Sequence, residues 1–209
     1  MSRKKVAGVL LAGGLSRRFG GGDKCLQMLG GKTILERVAA RAASQVDALV
    51  LNANGDPLRF AVAGLPVQAD VIEGFAGPLA GILTGMEWAA KAAPDAEFLA
   101  SFPSDAPFFP ETLVASLLDA VTSEGADMAC AASDGRTHPV FAVWPIRLKD
   151  ELRSAMEDEE MRKIDRWTGR YGIVHVDFPA HPFDPFFNIN TPEDLAEAAT
   201  IASEQGGRT

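Results

Sequence analysis

Short apolar runs alternate with stretches of helical period along this chain, which predicts an α/β fold with a largely parallel sheet. The first run, Val6 to Leu11, reads as a strand. At Thr33 the pattern switches to the helical period. Thr33 and Glu36 form a capping-box pair, and Ile34, Leu35, Val38 and Ala42 share one face. Further strands are predicted at Val46 to Leu51, ending at Asn52, at Val67 to Ala69, ending at Asp70, and at Ala96 to Phe102, ending near Asp105. Leu79 to Ala90 reads as a helix. Pro110 is expected to open another, with Leu113, Leu117, Leu118 and Val121 on its inner face.

In the second half, Ala126 to Ala132, Val140 to Trp144 and Tyr171 to Asp177 are predicted strands. The charged stretch Lys149 to Asp165 is expected to form one or two exposed helices with no chemistry of their own. A last helix begins at Thr191-Pro192-Glu193-Asp194, a cap residue, a proline at the first helical position and acids in the first turn. Residues from Ser203 to Thr209 are expected to fray. No repeat or linker interrupts the pattern, so residues 1–209 are read as one domain.

Composition narrows the classes. With 47% hydrophobic and 23% charged residues the chain is ordinary globular protein, which excludes a disordered one. The basic start followed by Val6 to Ala12 is too short for a signal peptide and runs into glycines and arginines. No run approaches the ~18 apolar residues of a membrane span. Cys25 and Cys130 are far apart and lie in no metal-ligand spacing, which points to a reducing, cytoplasmic setting. The net charge of −8 argues against nucleic acid as partner. The charge is uneven, however. Residues 1–24 hold six Lys or Arg and one acid, net +5, leaving −13 for the rest. That distribution suits a small polyanion, although a basic tail and a solvated loop would have the same composition.

The segment after the first strand, LAGGLSRRFGGGDK (Leu11 to Lys24), places five glycines, three cations and a serine in fourteen residues. Glycines let backbone N–H groups turn towards a ligand, and cations at the end of such a loop can grip phosphate. Two common phosphate loops fail to match. Gly31-Lys32-Thr33 would complete a Walker pattern only if Leu26 were glycine, and the dinucleotide pattern from Gly20 and Gly22 requires glycine where Cys25 stands.

The run LAGG, the Ser-x-Arg that follows and Lys24 resemble the signature loop of nucleotidyltransferases. Four further segments resemble one family in particular, the molybdenum cofactor guanylyltransferases: LNAN (Leu51 to Asn54), GPLAGILTGM (Gly77 to Met86), PSDAPFF (Pro103 to Phe109) and FNINTPEDL (Phe187 to Leu195). Gly13-Gly14 is similar to the guanylyl form, where the related cytidylyltransferases carry Ala-Ala-Gly. Phe19 and Ser104 depart from the family's usual Met and Cys, and residues 145–185 align with nothing in it. The resemblance implies a three-layer, Rossmann-like nucleotidyltransferase fold and transfer of GMP from GTP to molybdenum-molybdopterin, with Mg²⁺ as cofactor. It also implies hand-over of the product to molybdoenzymes or their chaperones.

The resemblance further implies the roles of individual residues. Lys24 and Arg18 would contact the triphosphate. Asp105 would be the Mg²⁺ aspartate. Leu11, Ala12, Gly13, Gly14, Asn52 and Asp70 would bind the nucleotide, and Asn188 and Asn190 would lie near the acceptor or the metal. Bare chemistry agrees, since strand ends in α/β sheets are where ligands sit. Each Asx residue also has a competing reading as a turn former, and Asn190 as part of the turn before Thr191. His138, His175 and His181 show no partner pattern and are read as structural. The phenylalanines 108–109 and 183–187 are read as packing. Two alternatives stay open: the same fold acting on CTP or a sugar phosphate, and a non-catalytic nucleotide-binding or cofactor-chaperone module. The joint presence of Lys24, Arg18 and Asp105 argues against the second.

Overall fold

A computed structural model describes residues 4–13, 23–74 and 77–206. Gly14, Arg17 and Arg18, and residues 207–209 of the expected frayed end, lie outside the described residues. β1 (Val6–Leu11) leads through β2 (Met28–Leu29) and β3 (Lys32–Thr33), a small ribbon, to α1 (Ile34–Ala43). Then come β4 (Ala48–Asn52), β5 (Val67–Gln68), α2 (Pro78–Ala92), β6 (Phe98–Pro103) and α3 (Leu113–Glu124). The second half holds β7 (Met128–Ser133), β8 (Arg136–Pro145), α4 (Lys149–Asp158), α5 (Ile164–Thr168), β9 (Ile173–Asp177) and α6 (Pro192–Gly206).

Among the described residues, seven strands make one sheet in the order β5-β4-β1-β6-β8-β7-β9. β8 alone runs against its neighbours, so the sheet is mostly parallel. Side chains alternate between its faces. Phe98, Ala100 and Phe102 of β6 join a core that includes Leu35 and Val38 of α1, Leu117 of α3 and Ile201 of α6. Leu99 joins the opposite core, with Ile82 and Leu83 of α2, Met156 of α4 and Trp167 of α5. Helices therefore cover both faces of the sheet, the expected three-layer α/β arrangement.

The capping box at α1 forms as predicted: Glu36 N donates to Thr33 Oγ1 at 3.1 Å, and Thr33 N donates to Glu36 Oε2 at 2.7 Å. Three expectations are corrected. Pro110 does not open α3, which starts at Leu113. Gln45, just past α1, accepts from Val114 N at 3.1 Å and donates to the Pro110 carbonyl at 3.1 Å, so a distant side chain sets where this helix begins. The Lys149–Asp165 region is not simply exposed, because Leu152, Met156 and Ile164 are buried beneath its charged surface. α6 continues past Ser203 to Gly206. No helix among the described residues is long and apolar enough to cross a membrane.

Candidate functional site

The chain order in the sheet reverses beside β1: β4 and β5 extend one way, and β6 returns to its other side. Such a switch point, at the carboxyl ends of the strands, is where open α/β sheets take ligands. Register makes the edge explicit. Leu11 pairs with both Asn52 and Pro103, and Asn52 pairs with Gln68, so four strand ends lie in one row. Two residues beyond that row stand Gly13, Asn54, Asp105 and Asp70.

A cleft of about 390 Å³ opens over this edge, lined by Leu11, Gly13, Lys24, Asn52, Asp70, Gly77, Pro78, Pro103, Ser104, Asp105 and Val140. The structure thus brings together Leu11, Gly13, Lys24, Asn52, Asp70 and Asp105, residues far apart in sequence. Ala12 is tied to the same edge, its N–H donating to the Asn52 carbonyl at 2.9 Å. A second pocket of about 370 Å³ shares Pro103, Asp105 and Val140, and is further walled by Thr137, His138, Pro139, Phe141, Asn188 and Asn190. Asp105 therefore stands between two cavities.

Lys24 begins a 3-10 turn, Lys24–Leu26, anchored by the buried Cys25. Burial first, with Asp23 adding, pushes the Cys25 thiol up to about 11, so it stays protonated and serves as packing. The Lys24 ammonium pairs with the Asp105 carboxylate, both mostly buried, and donates to Asn190 Oδ1 at 2.7 Å. Asp105 in turn holds the 187–190 segment, since its carbonyl accepts from Ile189 N at 2.9 Å. Of the six early cations, Lys4 and Lys5 stand at the start of β1, away from the cleft: Lys5 pairs with Asp95 at 3.0 Å and Lys4 lies 5.0 Å from the Phe98 ring centre.

At the cleft's other end the Asp70 carboxylate accepts from Asn52 Nδ2 at 2.9 Å and Asn54 Nδ2 at 2.8 Å, and Asp70 N donates to Asn54 Oδ1 at 2.9 Å. Asn54 was part of the LNAN segment but had no role assigned; it completes the brace on Asp70. Arg59 joins the two ends, donating to the Asn54 carbonyl at 2.9 Å and pairing with Asp23 at 3.0 Å.

Gly77 starts α2 at φ +73°, a region that favours glycine, and Pro78 takes the first helical position. Gly81 is required for a different reason. A Cβ there would stand 2.3 Å from Asn52 Oδ1 and 2.6 Å from Leu11 Cδ2, inside any real contact distance. Gly81→Ala would normally favour a helix; here it must push Asn52 from its place against Asp70. For the nucleotide that the sequence resemblance implies here, we expect on the order of a tenfold rise in KM, from about 1–3 kcal/mol of overpacking. Steady-state titration of the nucleotide beside a thermal melt separates this from unfolding.

His138, read as structural, forms part of the second pocket's wall. A signal for it was present. Asp134-Gly135 is a hairpin turn pair, with φ +46° and +70°, and it starts β8 at Arg136, four residues before the predicted Val140. The β7–β8 register shifts between Cys130 and Ala131, just past His138, and the His138 ring packs on Phe186. The phenylalanines do pack as expected: Phe109 lies 5.1 Å from Phe102 and 5.5 Å from Phe141, centre to centre.

Known proteins resemble this chain along nearly its whole length. Residues 8–172 match the family described as the MobA-like NTP transferase domain. The molybdenum cofactor guanylyltransferase of Rhodopseudomonas palustris (strain BisB5) is 56% identical over 194 residues, 93% of this chain and 92% of that one. The same-named protein of Bradyrhizobium sp. (strain ORS 278) is 53% identical over 95% of this chain and 93% of its own. Among solved structures, molybdopterin-guanine dinucleotide biosynthesis protein A from Archaeoglobus fulgidus superposes with a TM-score of 0.72 at 26% identity, covering 95% and 99% of the two chains.

Proposed function

The chain belongs to the molybdenum cofactor guanylyltransferases, and from that premise and the geometry of its sheet edge we propose that it transfers GMP from GTP to molybdenum-molybdopterin, releasing pyrophosphate. The observation that carries this reading is the position of Asp105 between two pockets, paired with Lys24 of the first pocket, which has nucleotide-type polar groups at its far end. In the first pocket Asn52 and Asp70 would take the nucleoside. A braced carboxylate suits guanine, whose N1–H and N2–H₂ groups donate side by side. The triphosphate would run past the Gly13 backbone to Lys24. In the second pocket the acceptor would present its phosphate beside Asp105, with Asn188 and Asn190 on the wall.

Charge balance supports a divalent cation. Among the described residues lining the first pocket, Lys24 contributes +1 and Asp70 and Asp105 −1 each, a net −1 that cannot by itself hold a triphosphate. Arg18, outside the described residues, would add to Lys24. The donors at Asp105 also fit Mg²⁺, which binds through one or two carboxylates and substrate phosphates and needs no protein cage. Mg²⁺ bound at Asp105 would neutralise phosphate oxygens as charge shifts towards the leaving group. An oxygen of the acceptor phosphate attacks the α-phosphorus, the α–β bridging bond breaks, and Lys24 stabilises the departing pyrophosphate. Two buried, unbridged cysteines support a reducing setting such as the cytoplasm.

The test is transfer itself. Purified protein incubated with molybdenum-loaded molybdopterin and Mg²⁺ is expected to form the guanine dinucleotide cofactor from GTP and little product from CTP. Transfer from CTP without transfer from GTP would refute the substrate assignment.

A further inference from the structure

His138 sits in the wall of the second pocket with one ring nitrogen engaged by a chain of hydrogen bonds that leads away from it. Its Nε2 lies 2.7 Å from Ser133 Oγ, and Ser133 Oγ lies 2.9 Å from Asp184 Oδ1. Ser133 is buried, and Asp184 Oδ1 also accepts from Phe186 N at 3.0 Å. The ring rests on Phe186, with centres 4.6 Å apart. These contacts fix its plane and its position.

Counting protons fixes its tautomer. A carboxylate only accepts, so the single Ser133 hydroxyl hydrogen goes to Asp184. The contact with His138 must then run from the ring: Nε2 carries hydrogen and donates to Ser133. Nδ1, with no hydrogen-bond partner among the described residues, remains as an acceptor on a half-buried ring. Burial holds the ring below the usual imidazole range; Asp184 opposes this and Arg136 adds to it, so the neutral form is favoured. Ser133 lies between histidine and aspartate, with its hydroxyl hydrogen committed to the carboxylate. The trio therefore does not activate a nucleophile; it orients a ring.

We propose that His138 is an acceptor-binding residue, presenting Nδ1 to an N–H donor of the heterocycle that occupies the second pocket, with Ser133 and Asp184 as its positioning residues. This rests on the acceptor being molybdopterin, whose pterin carries such donors. The first pocket already has its own polar groups, Asn52 and Asp70, for the nucleotide. His138 therefore acts on the acceptor side only.

Two substitutions separate binding from structure. Glutamine can keep the donor to Ser133 but has nothing at the Nδ1 position, whereas asparagine can place its Oδ1 near Nδ1 and loses the Ser133 contact. His138→Gln is expected to raise the KM for molybdenum-loaded molybdopterin on the order of tenfold, as for one lost hydrogen bond, with the KM for GTP unchanged. His138→Asn is expected to recover most of that loss. A purely structural histidine would give the reverse ranking, and that result would overturn the proposal, as would an unchanged acceptor KM in His138→Gln. Absence of any transfer by the wild-type protein would instead sink the underlying reading together with this one. Independent of activity, long-range ¹⁵N–¹H correlation spectra of the wild-type protein should show the ring proton on Nε2, a preference lost in Ser133→Ala. A wild-type ring protonated on Nδ1 alone would also refute the assignment.

Discussion

Asp105→Ala is expected to lower kcat by at least about 10²-fold, some 2.7 kcal/mol of transition-state stabilisation, with the fold intact. The residue occupies the turn directly after β6 and stands between the two pockets. Its carboxylate pairs with Lys24 and is the hard oxygen donor at the point where donor and acceptor phosphates would meet. Substitution leaves its backbone bond to Ile189 untouched, so the 187–190 segment should keep its place. Asp105→Asn, nearly the same shape without the charge, should lose a similar factor. Turnover at saturating GTP and acceptor, measured beside thermal melts, checks both variants. Near-normal turnover in either would remove Asp105 from the chemistry.

Lys24→Ala should cost at least about 10²-fold in kcat/KM, with a different signature. Lys24 is the cationic side chain among the described residues lining the first pocket. Its loss leaves Asp70 and Asp105 facing an incoming triphosphate with nothing in that lining to offset them, so the KM for GTP should rise as kcat falls. Asn190 also loses the ammonium it accepts from at 2.7 Å. Lys24→Arg retains charge but not the compact, mobile head, and should recover only part of the loss. Initial rates over a range of GTP concentrations separate the two parameters. An effect confined to the acceptor's KM would contradict the assigned role.

Signals local to a few residues were legible in the sequence. β1 runs from Val6 to Leu11 as its apolar pattern predicts, and the Thr33–Glu36 box caps α1 as written. The placement of Asn52 at the end of β4, and of Asp70 and Asp105 two residues past β5 and β6, was legible for the same reason: each stands where a short predicted strand gives way to polar residues. What escaped was decided elsewhere in the fold. The start of α3 depends on Gln45, more than sixty residues away, and Pro110 cannot reveal that. β8 begins in the polar residues Arg136 to His138, because an Asp-Gly turn pairs them with β7 regardless of their hydrophobicity. The same extension places His138 within β8 and not before it. Nothing local to the LNAN segment reveals the role of Asn54, because it braces Asp70 across a gap of sixteen positions. Gly14 and Arg18, outside the described residues, keep their roles as proposals.

The most direct test of the account is a crystal structure of the protein with Mg²⁺ and a GTP analogue that cannot release pyrophosphate. The account predicts the guanine against Asn52 and Asp70, the phosphates running past Gly13 to Lys24, and the metal ion on Asp105, with Lys24 drawn from the carboxylate towards the phosphates. Nucleotide bound elsewhere on the surface, or the Lys24–Asp105 pair undisturbed over an empty cleft, would contradict it.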